Sequence, residues 1–307
     1  MKTNGDIDIN WLSPVQEHNG LLYKRDDLFS PFDNGVNGGK ARQAISLIKN
    51  NLKHIQENCN STIITATSIT SPQGIIISTV ANHFNLKSIV SFGYHWGFDR
   101  LLEKNPLVQK AQEVGGEIRI VSNASYTNVV ESAVQEIVNK ESYFPIKFGI
   151  NAATNADSIF GVIENQVKNI PKDLDLLLIP VGSGLIFSGI IRGLLKYGNK
   201  PKRIVGILSG MDCFNAIESN LRNYPVSLKG SNDCFSDFLD EEVKLEYELY
   251  QSDTNYHKKI MIDEPFLIDP IYEAKSIRWY EQQIENGLIN NMNKNLIWIV
   301  GNQRDMY

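Results

Sequence analysis

The sequence has little that would cross-link it, draw it to a polyanion or anchor it in a bilayer. Its 307 residues include three cysteines, Cys59, Cys213 and Cys234. They are far apart, odd in number and form no CxxC pair, which argues against a disulfide framework or a zinc site. The formal net charge is −5, whereas broad affinity for phosphate backbones needs clustered Lys and Arg. No apolar run approaches the roughly 20 residues of a membrane span; the longest lies near 176–181. The N-terminus, MKTNGDIDINWL, is polar and acidic where a secretory signal needs a basic start and an apolar run. His18, His54, His83, His95 and His257 lack ligand spacing, so no metal centre is expected. A reducing, cytoplasmic setting without export or membrane attachment is the expectation.

What is present is an alternation. From about residue 43, amphipathic helical segments alternate with short β-branched runs, the pattern of βα units in mainly parallel sheets. Ile45, Ile48, Leu52 and Ile55 recur at steps of three and four, which predicts a helix over 43–55. Strands are predicted at 61–66, 88–92, 117–121, 144–148, 174–181, 203–208 and 296–300. Helices are predicted at 74–84, 101–116 and 127–139, from about 157 and about 186, and over 271–287. Residues 212–264 are irregular, charged and aromatic, and read as helix and loop that could cover a site. The class is α/β.

Three segments could carry chemistry. In YKRDDLFSPFDNGVNGGKARQA a charged run leads to a glycine-flanked Lys40, followed by Arg42 at a helix start. Glycines let a ligand approach the backbone, and an amine placed there could form a Schiff base with an aldehyde cofactor. A solvent-exposed lysine at a helix N-terminus is the plainer alternative. In IPVGSGLIFSGIIRGL an apolar strand ends at Val181 and the turn Gly182-Ser183-Gly184 opens a helix, an arrangement that offers N–H groups and a dipole to a phosphate. Gly189 and Gly193 would let that helix lie close to its sheet. A tight strand-to-helix connection needs the same glycines. In LIDPIYEAKS the Asp269-Pro270 pair signals a helix start, with Tyr272 and Glu273 in its first turn. Tyr272 could equally be a packed aromatic. His95 and Trp96 follow a strand and could line a site mouth or simply pack.

Together these segments resemble the fold type II pyridoxal-phosphate enzymes, and within them the aminocyclopropanecarboxylate deaminase and D-cysteine desulfhydrase group. The resemblance covers roughly residues 13–301. KRDDL followed by GGK-A-R is similar to the family's KRDDL…GGNKxR, and DPIYEAKS to the deaminases' DPVYEGKS. It implies a tryptophan synthase beta-like fold: two three-layer α/β/α domains with mainly parallel sheets. Residues 1–45 and 149–307 would form the large cofactor-binding domain and 46–148 the small one. It also implies pyridoxal 5'-phosphate on Lys40, its phosphate at Gly182, Ser183 and Gly184, and a homodimer. Ser71 and Gln73 match the family's SN(H/Q) turn at substrate and cofactor, and Tyr272 an active-site tyrosine. Glu273 matches the carboxylate that deaminases place by the pyridine nitrogen, where it favours the protonated ring and a stronger electron sink. Desulfhydrases usually carry threonine there.

The departures fall on substrate and cofactor contacts. The family's asparagine after Ser71 is Pro72, for which Gln73 could substitute. The Gly-Thr that usually follows GSG is Leu185-Ile186, which removes a hydroxyl and adds bulk beside the phosphate. The C-terminal HTGG-type turn reads VGNQRDMY, leaving Gly301 and Asn302 as counterparts. The GYG-type segment before DPxY is unrecognisable, with Tyr256 as its nearest candidate. The leading expectation is an enzyme acting on a small amino acid or amine by deaminase- or desulfhydrase-like elimination, with Lys40 and Tyr272 as proton carriers. Two alternatives stand beside it. One is a decarboxylase of an amino acid attached to a pyrimidine of viral DNA, a reaction that some viral members of the superfamily resemble; the other is a binding protein that keeps the fold without turnover.

Overall fold

The computed structural model describes residues 7–94, 102–151, 156–210, 213–229, 244–256 and 258–301. His95, Trp96, Cys234, His257 and Asn302 lie outside the described residues. The chain opens with a hairpin, β1 (Val15–His18) and β2 (Leu21–Arg25), closed by Asn19 and Gly20. Both turn residues have positive φ, 51° and 81°, as a two-residue turn matched to strand twist requires. The chain then divides into two compact units, one of residues 7–9 and Ser30–Ile159, the other of residues 10–29 and 160–301.

The first unit begins with α1 (Gly38–Asn58), followed by β3 (Thr62–Ala66), α2 (Gln73–His83), β4 (Lys87–Gly93), α3 (Pro106–Glu113), β5 (Gly116–Ser122), α4 (Thr127–Glu141) and β6 (Phe144–Ile146). Its four strands are all parallel in the order β5-β4-β3-β6. β3 is buried at every position, as expected of a central parallel strand covered on both faces. On one face Val130 and Val134 of α4 pack on Ile64, Ala66 and Ile89. α3 starts at Pro106 because the Asn105 side chain accepts from the N–H groups of Leu107 and Val108. The sequence-based boundaries assign residues 30–45 and 149–159 to the larger domain. In the structure they belong to the four-stranded unit, because α1 packs on α2 and β3.

The second unit contains β7 (Leu176–Val181), α6 (Leu185–Tyr197), β8 (Arg203–Leu208), α7 (Phe214–Leu221), β9 (Val226–Leu228), β10 (Leu245–Gln251), α8 (Glu273–Glu285) and β11 (Asn295–Ile299). The preceding helix, α5, spans Ala156–Asn165. The sheet order is β1-β2-β11-β7-β8-β10-β9, parallel except for the β1–β2 pair. Ile277 and Tyr280 of α8 pack on Leu178, Val205, Ile207, Ile297 and Ile299. Each buried side chain of this size contributes about 1.5–3 kcal/mol. Val205 and Ile207 share the α8 face of β8, and strand alternation puts Ser209 in the same line just beyond the strand end.

Two expectations need correction. Residues 245–251 form a strand, not helix or loop: LEYELYQ alternates, with Leu245 and Tyr247 buried and Glu246 exposed. Gly189 and Gly193 do not serve approach to the sheet. A β-carbon at Gly189 would lie 2.7 Å from Cγ2 of Ile163, and one at Gly193 would lie 2.6 Å from Cγ2 of Val167. They admit α5 and the turn that follows it. Among the described residues no helix is long and apolar enough to cross a membrane.

Candidate active site

The C-terminal edge of the seven-stranded sheet carries most of the expected groups. β7, β8 and β11 end there at Val181, Leu208 and Ile299. Loops and helix N-termini converge at such an edge, which is where open α/β sheets bind ligands. Gly182, Ser183 and Gly184 connect β7 to α6. Gly184 is the N-cap of α6 with φ 82°, and it has no side chain to accept the first-turn N–H groups. Those of Leu185, Ile186 and Phe187 are thus open to an anion at the positive end of the helix dipole. A β-carbon at Gly182 would stand 2.9 Å from Cε1 of Tyr272, so that ring lies directly on the turn. A β-carbon at Gly184 would meet Cγ1 of Ile217, near the start of α7, at 2.7 Å.

Asp269 starts the helix that presents Tyr272 and Glu273. Its Oδ1 accepts from the N–H groups of Ile271 at 2.8 Å and Tyr272 at 2.9 Å, as the Asp-Pro pair predicts. The Tyr272 hydroxyl lies 2.8 Å from that of Tyr256, with the rings edge to face. Glu273 is fully buried, and its Oε1 accepts from Val300 N–H at 2.8 Å and Gly301 N–H at 3.0 Å. Its Oε2 has no hydrogen-bond partner among the described residues. Burial first, and then the charge of Asp269, hold this carboxyl well above the usual carboxylate range; the two N–H groups only partly oppose them. Ser209 Oγ, beyond β8, is likewise buried without a partner among the described residues.

Lys40 and the turn after β3 lie in the four-stranded unit. Lys40 is the third residue of α1 and half-buried, behind a Gly38 with φ 78°. Buried Arg42 anchors the helix start by donating to the Ile9 carbonyl at 2.7 Å. Ser71 Oγ accepts from Gln73 N–H at 3.3 Å. The Gln73 side chain is 1% exposed and its amide is committed internally. Nε2 donates to Thr65 Oγ1 and to the carbonyls of Ala66 and Lys147, while Oε1 accepts from the N–H groups of Gly149 and Ile150. The expectation that Gln73 replaces the missing asparagine as a cofactor contact is therefore corrected: its amide has no donor or acceptor left to offer.

The four charged residues of the KRDDL run are also internal, within the seven-stranded unit, while Leu28 is exposed. Lys24 Nζ donates to Ser13 O and Asn169 Oδ1, both at 2.6 Å, and Asp26 accepts from Ser13 Oγ at 2.6 Å. Arg25 forms a two-pronged pair with Asp27 and stacks 3.6 Å from the Phe266 ring centroid. These charges brace β2 and contribute no open functional group. Sequence reasoning missed Ser209, Lys275 and the Val300 and Gly301 N–H donors. Strand alternation carried on past the end of β8 could have found the first of these.

Known proteins converge on the same reading. The family described as pyridoxal-phosphate dependent enzyme matches residues 4–232. An O-seryl-dTMP PLP-dependent decarboxylase of Salmonella phage ViI is 27% identical over 219 residues, covering 66% of this chain and 50% of that protein. The chain thus spans about half the length of that curated relative. Among solved structures, an ACC deaminase homologue superposes with a TM-score of 0.69 at 19% identity, over 95% of this chain and 90% of that one. An O-acetylserine dependent cystathionine beta-synthase from Helicobacter pylori does so with a TM-score of 0.62 at 14% identity, over 100% and 97%. Maize serine racemase follows with a TM-score of 0.58 at 12% identity, over 95% and 89%. Two mainly parallel sheets in a tryptophan synthase beta-like arrangement, a glycine turn opening α6 and a matched family over most of its length identify this chain as a member of the fold type II pyridoxal-phosphate-dependent enzymes.

Proposed function

We propose that the protein is a pyridoxal-phosphate-dependent decarboxylase of an amino acid carried on a pyrimidine nucleotide. One observation of the structure carries the choice over elimination chemistry. The turn after β3, which in the deaminase and desulfhydrase group offers an asparagine, has Pro72 instead, and the neighbouring Gln73 amide is engaged by Thr65 and by backbone groups of Ala66, Lys147, Gly149 and Ile150. Likeness to the phage O-seryl-dTMP decarboxylase supports the same reading.

The residues present fit the cofactor. The orphaned Oε2 of Glu273 is a buried acceptor for a ring N–H, and the open N–H groups after Gly184 suit its phosphate. Pyridoxal phosphate, when bound, supplies an aldehyde that captures an amine and a ring that withdraws the electron pair of a bond broken at the α-carbon. Lys40 would hold the aldehyde in the resting enzyme, and its ε-amine, when free, would be the group that carries a proton to the substrate α-carbon. Glu273 would receive the ring N–H at its unpaired Oε2, and a pyridinium there would favour the ionised carboxylate. Tyr272 and Tyr256 orient the substrate over the Gly182 turn through their paired hydroxyls.

Glu273 also supports a second reading, deaminase-like elimination from a free amino acid or amine, because it is the residue the deaminases share. Headspace carbon dioxide from O-seryl-dTMP, with no ammonia or keto acid from a panel of free D- and L-amino acids, is the expected result. Ammonia release from the panel alone would overturn decarboxylation in favour of elimination. Tight cofactor binding with neither product would make the chain a binding protein.

A further inference from the structure

We infer that Lys275 is a positioning residue: a buried ammonium that clamps the turn carrying Tyr256 to the end of β8 and so sets the Tyr256–Tyr272 hydroxyl pair over Gly182. Lys275 lies in the first turn of α8 and is 2% exposed. A lysine so buried needs strong acceptors, because an ammonium removed from water loses several kcal/mol of hydration (order of magnitude) unless it is hydrogen-bonded. Its Nζ donates to Ser209 O at 2.9 Å, Asn255 O at 2.8 Å and Tyr256 O at 3.4 Å. These carbonyls belong to two segments 46 or more residues apart in sequence, both beyond the ends of strands: Ser209 follows β8, and Asn255 and Tyr256 follow β10.

Neighbouring contacts brace the clamp and Tyr256. The N–H of Ser209 donates to Val181 O at 3.0 Å, which fixes the clamped carbonyl beside the residue that precedes Gly182. Gly210 has φ 121°, and a β-carbon there would stand 2.7 Å from the Tyr256 backbone nitrogen, so the two segments touch backbone to backbone. The ammonium also stands 6.0 Å from the Tyr256 ring centroid. The Tyr256 hydroxyl then meets Tyr272, whose ring covers Gly182. Asn255 is exposed, and the turn is tied to the end of β8 by Ser252 N–H donating to Leu208 O at 2.9 Å as well as by the clamp. Three charge-assisted hydrogen bonds from one lysine therefore hold the tyrosine in place.

The inference rests on the reading that Tyr256 and Tyr272 face the substrate, so its test needs a readout independent of turnover. Lys275→Met keeps the length and apolar stem but removes the three donors. Hydrogen exchange of the cofactor-free protein should rise about tenfold or more over 251–256, with β7 and β8 still protected. Pyridoxal phosphate affinity should stay within about twofold of the parent, because the Gly182–Gly184 turn is untouched, while KM for the accepted substrate rises about tenfold with a smaller change in kcat. Should Lys275→Met not fold, Gly210→Ala pushes the same turn off from the opposite side and should give the same local exchange. Unchanged exchange over 251–256, or a rise spread evenly over the whole unit, would overturn the clamp. If exchange changes as expected but no substrate is turned over by the parent protein, the clamp stands and the proposed reaction fails.

Discussion

Two turns occupy equivalent places in the two units: each leaves the C-terminal end of a parallel strand and enters a helix. The one after β3 is closed. Gln73 spends its whole amide on Thr65, Ala66, Lys147, Gly149 and Ile150, and so holds a buried isoleucine with φ 61°, a conformation a β-branched residue rarely adopts. The one after β7 is open. Gly184 offers uncapped N–H groups, and near the same sheet edge Glu273 and Ser209 each keep a polar atom without a partner among the described residues. Buried polar atoms are normally paired, so those left over mark where a ligand is expected. The difference separates a turn whose polar groups are satisfied internally from the one proposed to bind the cofactor phosphate.

Substitutions should break the comparison along that line. Glu273→Gln keeps the size of the side chain but removes the carboxyl proposed to face the ring nitrogen; turnover should fall about 100-fold, some 2.7 kcal/mol, with cofactor still retained on dialysis. Retained turnover would remove Glu273 from the chemistry. Gln73→Leu leaves several buried peptide groups unpaired and should cost about 2 kcal/mol in denaturant unfolding, with the unit weakened but pyridoxal phosphate affinity of the remaining folded protein little changed. A large loss of affinity at full stability would instead return Gln73 to the cofactor.

Smaller effects sharpen the same contrast. Gly184→Ala forces a side chain into left-handed backbone and against Ile217; cofactor affinity should fall about tenfold, near 1.4 kcal/mol, in equilibrium dialysis. The smallest effect is in pH dependence. The carboxyl of Glu273 is raised in the folded state, so the stability linked to its protonated form is full below about 4.5 and is lost as pH rises through the raised value. Glu248 behaves oppositely. Burial alone would raise it, but hydrogen bonds from Arg203 and Tyr250 and the charge of Arg203 outweigh burial and bring it down to about 2. Its contribution is fully present above the ordinary carboxylate pKa and is lost as pH falls from there through about 2. Cofactor-free Glu273→Gln should therefore gain relative stability at alkaline pH, and Glu248→Gln should lose its acid-side dependence, both read as unfolding midpoints across pH.

The βα alternation was legible because each element carries its own period. Thr62–Ala66, Leu176–Val181 and Arg203–Leu208 are bounded within one or two residues by pattern alone. The N-terminal hairpin is not among the predicted elements, although Asn19-Gly20 is a two-residue hairpin signal and the KRDDL run begins in its second strand. β10 was hidden by its acidic and aromatic composition, although apolar and acidic residues alternate from Leu245 to Leu249. At the site, the glycine turn and Tyr272-Glu273 could be read from adjacent residues. The saturation of Gln73, the clamp of Lys275 and the pairing of Tyr256 with Tyr272 could not. Those depend on partners up to 77 residues away in sequence, and no local period records them.

The attachment of the cofactor to Lys40 is tested most directly by reducing the holoprotein with borohydride, digesting it and locating the phosphopyridoxyl group by peptide mass spectrometry. The account predicts that the group is found on the peptide containing Lys40 and that Lys40→Ala abolishes the modification. Label on a different lysine, or a Lys40→Ala protein modified as fully as the parent, would contradict it.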